Sequence, residues 1–225
     1  MSQAETPPTA PADPAAPGTL QGLRAVLFDL DGVIFDSRQA NIAFYNHMLQ
    51  VVGLPPRAQE AVEVIHRESM EGSLRHLMGE GEKYRQAMEY WRTMDPTRFV
   101  GELRLFPGVR ETLERLGRRY TLAVITNRSK TTRASLDHFG LWELFRLVVT
   151  PLDTGASKPD PSLMHHALKE LRLEPGQVVY VGDSELDQRL CQATGVRLVA
   201  FRNPALAAWA HVESFAELGR LLGVA

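Results

Sequence analysis

The sequence is poor in cysteine: Cys191 is its single example. One thiol can form neither an intrachain disulfide nor a zinc or iron-sulfur site built from several cysteines. Disulfides are rare in the reducing cytoplasm. The cysteine content is therefore typical of a cytoplasmic protein.

Long apolar runs and an excess of one charge are also missing. No run approaches the roughly 18 consecutive apolar residues of a transmembrane helix, and the N-terminus lacks the basic start and apolar stretch of a signal peptide. The 25 Lys and Arg residues nearly balance the 27 Asp and Glu residues, and no block of like charge stands out. We therefore expect a cytoplasmic protein that binds neither a membrane nor a nucleic acid.

The glycine-rich loops that hold nucleotides, Gly-x-Gly-x-x-Gly and Gly-x-x-x-x-Gly-Lys-Ser/Thr, are absent as well. What is present is an ordinary globular composition, with 44% hydrophobic and 23% charged residues. The 225 residues, at about 150 residues per domain, fit one α/β domain with a sizeable insertion or two small domains. Residues 1–22 contain mainly proline, alanine and polar residues, which predicts a disordered tail.

Five short apolar runs follow the tail, and each ends in small or acidic residues. They cover residues 23–29, 120–126, 146–150, 177–183 and 196–201. Because polar residues come only at the C-terminal ends of the runs, both faces of each strand are expected to be buried, as in a parallel sheet.

Helical patterns separate these runs. They cover residues 108–118, 130–139, 161–171, 185–194 and 213–222. The alternation predicts an α/β fold with a doubly wound, Rossmann-like parallel sheet. Ligands of such sheets bind at the carboxyl ends of the strands.

One connection is far longer than an ordinary crossover, because the first strand ends at Asp29 and the next helix begins near Gly108. We predict a catalytic core of residues 23–36 and 106–225, and a helical insertion, here called the cap, of residues 37–105. Its predicted helices cover residues 38–52, 58–70, 72–79 and 82–93.

Polar residues that could take part in catalysis or binding lie directly after strands or in the loops that follow them. They are Asp29, Asp31, Thr126, Asn127, Lys158, Asp183 and Asp187. Two carboxylates about 5 Å apart repel each other by roughly 3 kcal/mol at an effective dielectric constant of 20. Lys158 supplies one positive charge, so the cluster predicts a bound cation, and its oxygen ligands favour Mg²⁺.

A carboxylate nucleophile, a second carboxylate two residues later, a hydroxyl, a lysine and a hard dication fit phosphoryl transfer through an aspartyl-phosphate. Gly32 fits the same chemistry, because a residue without Cβ lets the loop backbone approach a phosphate.

Four sequence segments resemble the motifs of the haloacid dehalogenase superfamily. They are DLDGVIFD (29–36), ITN (125–127), SKPDP (157–161) and GDSELD (182–187). The position and helical character of the insertion are similar to those of the subfamily that contains phosphoglycolate phosphatases and β-phosphoglucomutases.

The resemblance implies a role for each motif residue. Asp29 is implied to be the nucleophile, and Asp31 the general acid that protonates the leaving oxygen and then the base that activates water. True dehalogenases lack an acid at the position of Asp31, so dehalogenation is disfavoured.

The remaining motif residues are implied to bind phosphate or metal. Thr126, Asn127 and Lys158 hold the phosphoryl group. Asp183 binds Mg²⁺ together with the Asp29 carboxylate and the Asp31 carbonyl. Asp187, with Gly32, supports the site, through a water molecule or by orienting Lys158.

Specificity is expected to come from the cap. Arg75 is the first candidate, because EGSLRHLMG resembles the substrate-facing cap segment of the subfamily, and Arg67 and His76 are the next candidates.

The sequence thus predicts a Mg²⁺-dependent phosphatase, a monomer or homodimer, that hydrolyses a small phosphorylated metabolite such as phosphoglycolate or a sugar phosphate. A phosphoryl-transfer mutase and a non-catalytic phosphate-binding module of the same fold remain alternatives.

Overall fold

Buried apolar runs form a six-stranded sheet in the computed structural model, which describes residues 20–224 except for the side chains of Glu63, His66 and Arg67. The strands are β1 (Ala25–Phe28), β4 (Thr121–Ile125), β5 (Leu147–Val149), β6 (Val178–Gly182), β7 (Arg197–Phe201) and β8 (Ala210–Val212). All six strands are parallel, in the order β5-β4-β1-β6-β7-β8. The predicted doubly wound parallel sheet is confirmed.

Helices cover both faces of the sheet. They are α5 (Val109–Gly117), α6 (Thr132–His138), α7 (Pro151–Thr154), α8 (Ser162–Leu171), α9 (Glu185–Thr194) and α10 (Phe215–Leu221). Alternate residues of β1 serve the two faces: Phe28 packs in one apolar cluster with α5 and α10, whereas Leu27 packs in the other with α8 and α9. In the described part of the chain, no helix has the length and apolarity needed to span a membrane.

The insertion leaves and rejoins the core through a two-stranded antiparallel ribbon, β2 (Phe35–Asp36) and β3 (Arg104–Leu105). Between these strands lie four α-helices and two 3₁₀ helices. They are α1 (Arg38–Val51), α2 (Val62–Arg67), α3 (Met70–Met78), α4 (Glu82–Thr93) and the 3₁₀ helices Ala58–Ala61 and Pro96–Glu102.

The cap has an apolar cluster of its own. Met48, Leu49, Leu74 and Ala87 are completely buried there, and none of them belongs to the two clusters on the sheet faces. The cap is thus held together largely by contacts within the insertion.

Most element boundaries agree with the sequence patterns, and the differences have local causes. The segment expected to be one helix over 58–70 is a 3₁₀ helix followed by α2, which ends at Arg67 because Glu68 has an extended backbone. The edge strand β8 has no predicted counterpart, since it is three residues long and carries the exposed His211. Of the predicted tail, residues 1–19 lie outside the described residues, and Leu20 packs against the core.

The separate cluster of the cap predicts separate stabilities. Leu74→Ala should weaken the cap by about 2–5 kcal/mol, because it opens a cavity among fully buried side chains, and hydrogen exchange should report faster exchange in α1, α3 and α4 than in the strands. Leu152→Ala, at a side chain that is 73% exposed, is the control and should change neither. Equal loss of protection in cap and sheet would contradict this independence.

Candidate active site

The site lies at the carboxyl ends of β1, β4 and β6, where the loops after the strands meet. Asp29 directly follows β1, and its residue surface is 5% exposed. Its Oδ1 accepts a hydrogen bond of 2.7 Å from the backbone N–H of Leu30, and its Oδ2 lies 2.8 Å from Nζ of Lys158. Burial raises the pKa of Asp29 to about 7, although Lys158 acts in the opposite direction.

Lys158 is 4% exposed and is the cationic centre of the cluster. Its Nζ lies 2.8 Å from Asp29 Oδ2 and 2.7 Å from Asp187 Oδ1, and it donates to the hydroxyl of Tyr180 at 3.2 Å. Burial alone would lower the pKa of Lys158, but Asp187 and Asp29 together raise it above its usual value. The lysine is therefore held as a cation between two carboxylates.

Asn127 fixes the backbone that carries Lys158. Its side-chain Oδ1 accepts from the Lys158 N–H at 2.7 Å, and its Nδ2 donates to the Lys158 carbonyl at 3.3 Å. Both ends of the amide thus hold the backbone at Lys158, and the role of Asn127 in binding phosphate stays a prediction.

Asp187 is fully buried, and both of its oxygens have protein partners. Oδ1 contacts Lys158 and the Tyr180 hydroxyl, which lies 3.0 Å away. Oδ2 accepts from the N–H groups of Asp183 and Ser184 and from the Ser184 hydroxyl. Burial raises the pKa of Asp187, but Lys158 and these hydrogen bonds lower it to a value below normal.

The same contacts explain the local fold of GDSELD. Ser184 is the N-cap of α9, and its hydroxyl accepts a hydrogen bond from the Asp187 N–H. The carboxylate of Asp187 in turn accepts one from the Ser184 N–H, which completes a capping box. Gly182 is required beside it, because a Cβ there would lie 2.5 Å from the Cβ of Asp187. Asp187 thus links the start of α9 to Lys158, and its role as an orienting group stays a prediction.

Asp183 lies at the end of β6, against the loop that contains Gly32. A Cβ on Gly32 would lie 2.0 Å from Asp183 Oδ2, and the φ of Gly32 is +80°, so both space and backbone conformation favour glycine at this position. Burial, reinforced by Asp187 and Asp29, raises the pKa of Asp183 well above its usual value.

The donor set fits a hard divalent cation. Carboxylate oxygens of Asp29, Asp183 and Asp187 lie within 4.8 Å of one another. The two oxygens of Asp187 have five protein partners, which fill the about four lone-pair sites of a carboxylate. The oxygens of Asp29 have two, so Asp29 and Asp183 are the carboxylates that can bind a metal directly. Three carboxylates share one ammonium group there, so one lysine does not balance the negative charge, and oxygen-only ligands suit Mg²⁺.

Asp31, two residues after Asp29, lies on the solvent side of the cluster. The guanidinium of Arg128 donates two hydrogen bonds to its carboxylate, 3.0 Å from Nε to Oδ2 and 2.6 Å from Nη2 to Oδ1. Burial acts to lower the pKa of Arg128, but the larger effect of Asp31 raises it. The pKa therefore lies above the ordinary value of arginine.

Thr126 follows β4 and is 1% exposed. Its hydroxyl oxygen accepts from the Arg128 N–H at 3.1 Å, so this hydroxyl shapes the loop after β4 as well as facing the cluster.

A cavity of about 180 Å³ lies between this floor and the cap. Asp29, Asp31, Thr126, Lys158 and Asp183 all line it. The cap contributes mainly apolar and aromatic side chains to its roof, namely Phe44, Tyr45, Ile65, Met70, Trp91 and Phe99.

The cap residues that were predicted to set specificity are placed differently. Arg75 does not line the cavity: it pairs with Glu71 and Glu80 and lies over the ring of Tyr84, on the outer face of α3. His76 is exposed and also absent from the lining, whereas the side chain of Arg67 lies outside the described residues. On α3, Met70 and not Arg75 lines the cavity, and a role of Arg75 in specificity stays a prediction.

Sequence reasoning missed Arg128 and Tyr180. Arg128 directly follows ITN, and that position beside two residues predicted to bind phosphate was an available signal. Tyr180 lies inside β6, where an aromatic residue is typical of any buried strand, so no sequence signal separates its hydroxyl contact from ordinary packing.

Known proteins share both the sequence pattern and the fold. The profile of the haloacid dehalogenase-like hydrolases matches residues 26–201. A phosphoglycolate phosphatase of Pseudomonas putida is 32% identical over 194 residues, which cover 81% of this chain and 70% of the relative. A phosphoglycolate phosphatase of Rhodobacter capsulatus is 28% identical, over 89% of this chain and 95% of its own.

A solved structure of the same family has a similar fold. The subfamily IA hydrolase of the haloacid dehalogenase superfamily from Geobacter sulfurreducens is 32% identical, has a TM-score of 0.75 and covers 90% of this chain and 97% of its own. The chain therefore belongs to the haloacid dehalogenase-like hydrolase family. The predicted family, and with it the prediction of a hydrolase, is confirmed.

The buried ion cluster predicts a large cost for removing its cation. Lys158→Met should destabilise the fold by about 3–5 kcal/mol, because Asp187 and Asp29 then lose a buried partner. Urea unfolding without divalent ions measures the change. Lys169→Met, at an exposed lysine of α8, is the matched control and should stay within about 0.5 kcal/mol of the wild type; equal effects of the two substitutions would refute the role of Lys158.

Proposed function

We propose that the protein is a Mg²⁺-dependent phosphatase that hydrolyses a small phosphorylated metabolite through an aspartyl-phosphate on Asp29. The observation that carries the proposal is the contact of Asp29 with Lys158 at the floor of a cavity closed by the cap. A nucleophilic carboxylate and a buried ammonium then face the same phosphoryl group.

In the first step, a carboxylate oxygen of Asp29 attacks phosphorus, and the bond between phosphorus and the ester oxygen breaks. Asp31 gives its proton to that leaving oxygen. Lys158 and the Thr126 hydroxyl bind the phosphoryl oxygens, and the Lys158 charge offsets the charge that develops on them.

In the second step, water attacks phosphorus and Asp31 takes the proton of that water. Inorganic phosphate leaves, and Asp29 returns to a carboxylate. Asp31 thus acts first as an acid and then as a base. Its position allows both roles, because it lies two residues from the nucleophile and on the solvent side of the cluster.

Asp29, Asp183 and the backbone carbonyl of Asp31 would hold Mg²⁺. When bound, the ion supplies positive charge that neutralises the carboxylates and the phosphoryl oxygens. Asp187 holds Lys158 in place for the same charge balance.

Phosphoglycolate is our first candidate substrate, and sugar phosphates are the second. The curated relatives that carry the name phosphoglycolate phosphatase support the first candidate. Among the described residues that line the cavity, Arg128, Lys130 and Lys158 are cationic, and carboxylates of the site pair with Arg128 and Lys158.

The test is phosphate release from a panel of metabolite phosphomonoesters, with phosphoglycolate and hexose phosphates included. Turnover should require Mg²⁺, stop on chelation and return when Mg²⁺ is restored. Asp29→Asn should lower kcat by at least about a thousandfold, because an amide is no nucleophile.

The matched control is Asp36→Asn, in the same motif but outside the cavity, which should keep most activity. Retained turnover in Asp29→Asn would refute the covalent mechanism. A wild-type protein that hydrolyses no ester of the panel would favour a non-catalytic phosphate-binding module, and activity only with a bisphosphate activator would favour a mutase.

A further inference from the structure

The carboxylate of Asp31 has an unusually well-defined protein partner. Arg128 binds both of its oxygens through Nε and Nη2, in the bidentate geometry that fixes both the position and the plane of a carboxylate. The two side chains are 97 residues apart in sequence, so the contact arises from the tertiary fold.

Arg128 is itself held in place. Its Nη1 donates to the Thr131 hydroxyl at 2.8 Å, its backbone N–H donates to the Thr126 hydroxyl, and its carbonyl accepts from the Thr132 hydroxyl at 2.7 Å. The side chain is only 14% exposed. The Thr131 contact holds the guanidinium and the two backbone contacts hold the residue that carries it, so Arg128 can orient a neighbour.

The loop that carries Arg128 is also tied to the cap. Nζ of Lys130 donates to the carbonyls of Trp91 and Arg92 at 2.6 and 3.0 Å, and it lies 4.5 Å from the centre of the Trp91 ring. The loop after β4 therefore bridges the roof of the cavity and the side chain of Asp31.

We propose that Arg128 is a positioning residue that holds the carboxyl group of Asp31 in the orientation for proton transfer to the leaving oxygen. The inference rests on the proposed phosphatase function. The guanidinium fork uses two of the about four lone-pair sites of a carboxylate, and the transferred proton needs one.

A positioning role makes a different prediction from a structural ion pair. Departure of a strongly basic leaving group depends on protonation, whereas a weakly basic one departs with less help. Loss of orientation at Asp31 should therefore slow phenyl phosphate more than p-nitrophenyl phosphate. A structural role would slow both esters alike.

The experiment measures kcat/KM for phenyl phosphate and for p-nitrophenyl phosphate with Mg²⁺ and compares their ratio among variants. These esters have similar shapes, and kcat/KM reports the step in which the leaving group departs. Because both values come from one preparation, the ratio does not change with the fraction of folded protein.

Arg128→Ala should lower the ratio of phenyl to p-nitrophenyl phosphate by about tenfold or more, within the range that general acid catalysis contributes. Arg128→Lys should recover only part of the loss, because an ammonium group cannot bind both oxygens in a fixed plane. Arg133→Ala, which removes an exposed arginine from α6, is the control and should leave the ratio unchanged.

A double variant tests whether Arg128 acts through Asp31. Asp31→Asn alone should lower the ratio, and adding Arg128→Ala should lower it no further. An unchanged ratio in Arg128→Ala, full recovery in Arg128→Lys or an additional fall in the double variant would overturn the proposal. A wild type that hydrolyses neither ester would contradict the proposed function instead.

Discussion

The ammonium group of Lys158 lies between the carboxylates of Asp29 and Asp187, and the geometry of the whole site depends on this buried contact. Neither carboxylate is in water, where its charge would be solvated, so the lysine is what makes their burial tolerable. The fold prepares this contact from three directions. Asn127 fixes the lysine backbone, Ser184 and the start of α9 fix Asp187, and β1 delivers Asp29.

One lysine leaves the cluster with an excess of negative charge. A carboxylate oxygen of Asp183 lies within 4.8 Å of oxygens of Asp29 and Asp187. Burial raises the pKa values of both Asp183 and Asp29. A bound cation is expected to reduce the repulsion among these carboxylates. The charge that a phosphate ester brings makes the need for a cation larger, so metal binding and substrate binding are expected to support each other.

The sequence predicted what depends on strand ends and missed what depends on side-chain direction. Asp29, Lys158 and Asp183 could be grouped because parallel strands bring their carboxyl ends to one edge of the sheet. The partner of Asp31 could not be identified in this way, since Arg128 reaches it from a loop 97 residues later. The position of Arg75 outside the cavity could not be predicted either, because helical spacing does not say which face of α3 packs toward the cavity.

The central claim, that Asp29 and Asp183 form a site for a divalent cation, is tested most directly by thermal unfolding at increasing Mg²⁺ concentration and constant ionic strength. Binding to the folded state should raise the Tm of the wild type in a saturable way, and Asp183→Asn should remove most of this increase. The same Mg²⁺-dependent rise in both proteins, or no rise in the wild type, would contradict the account.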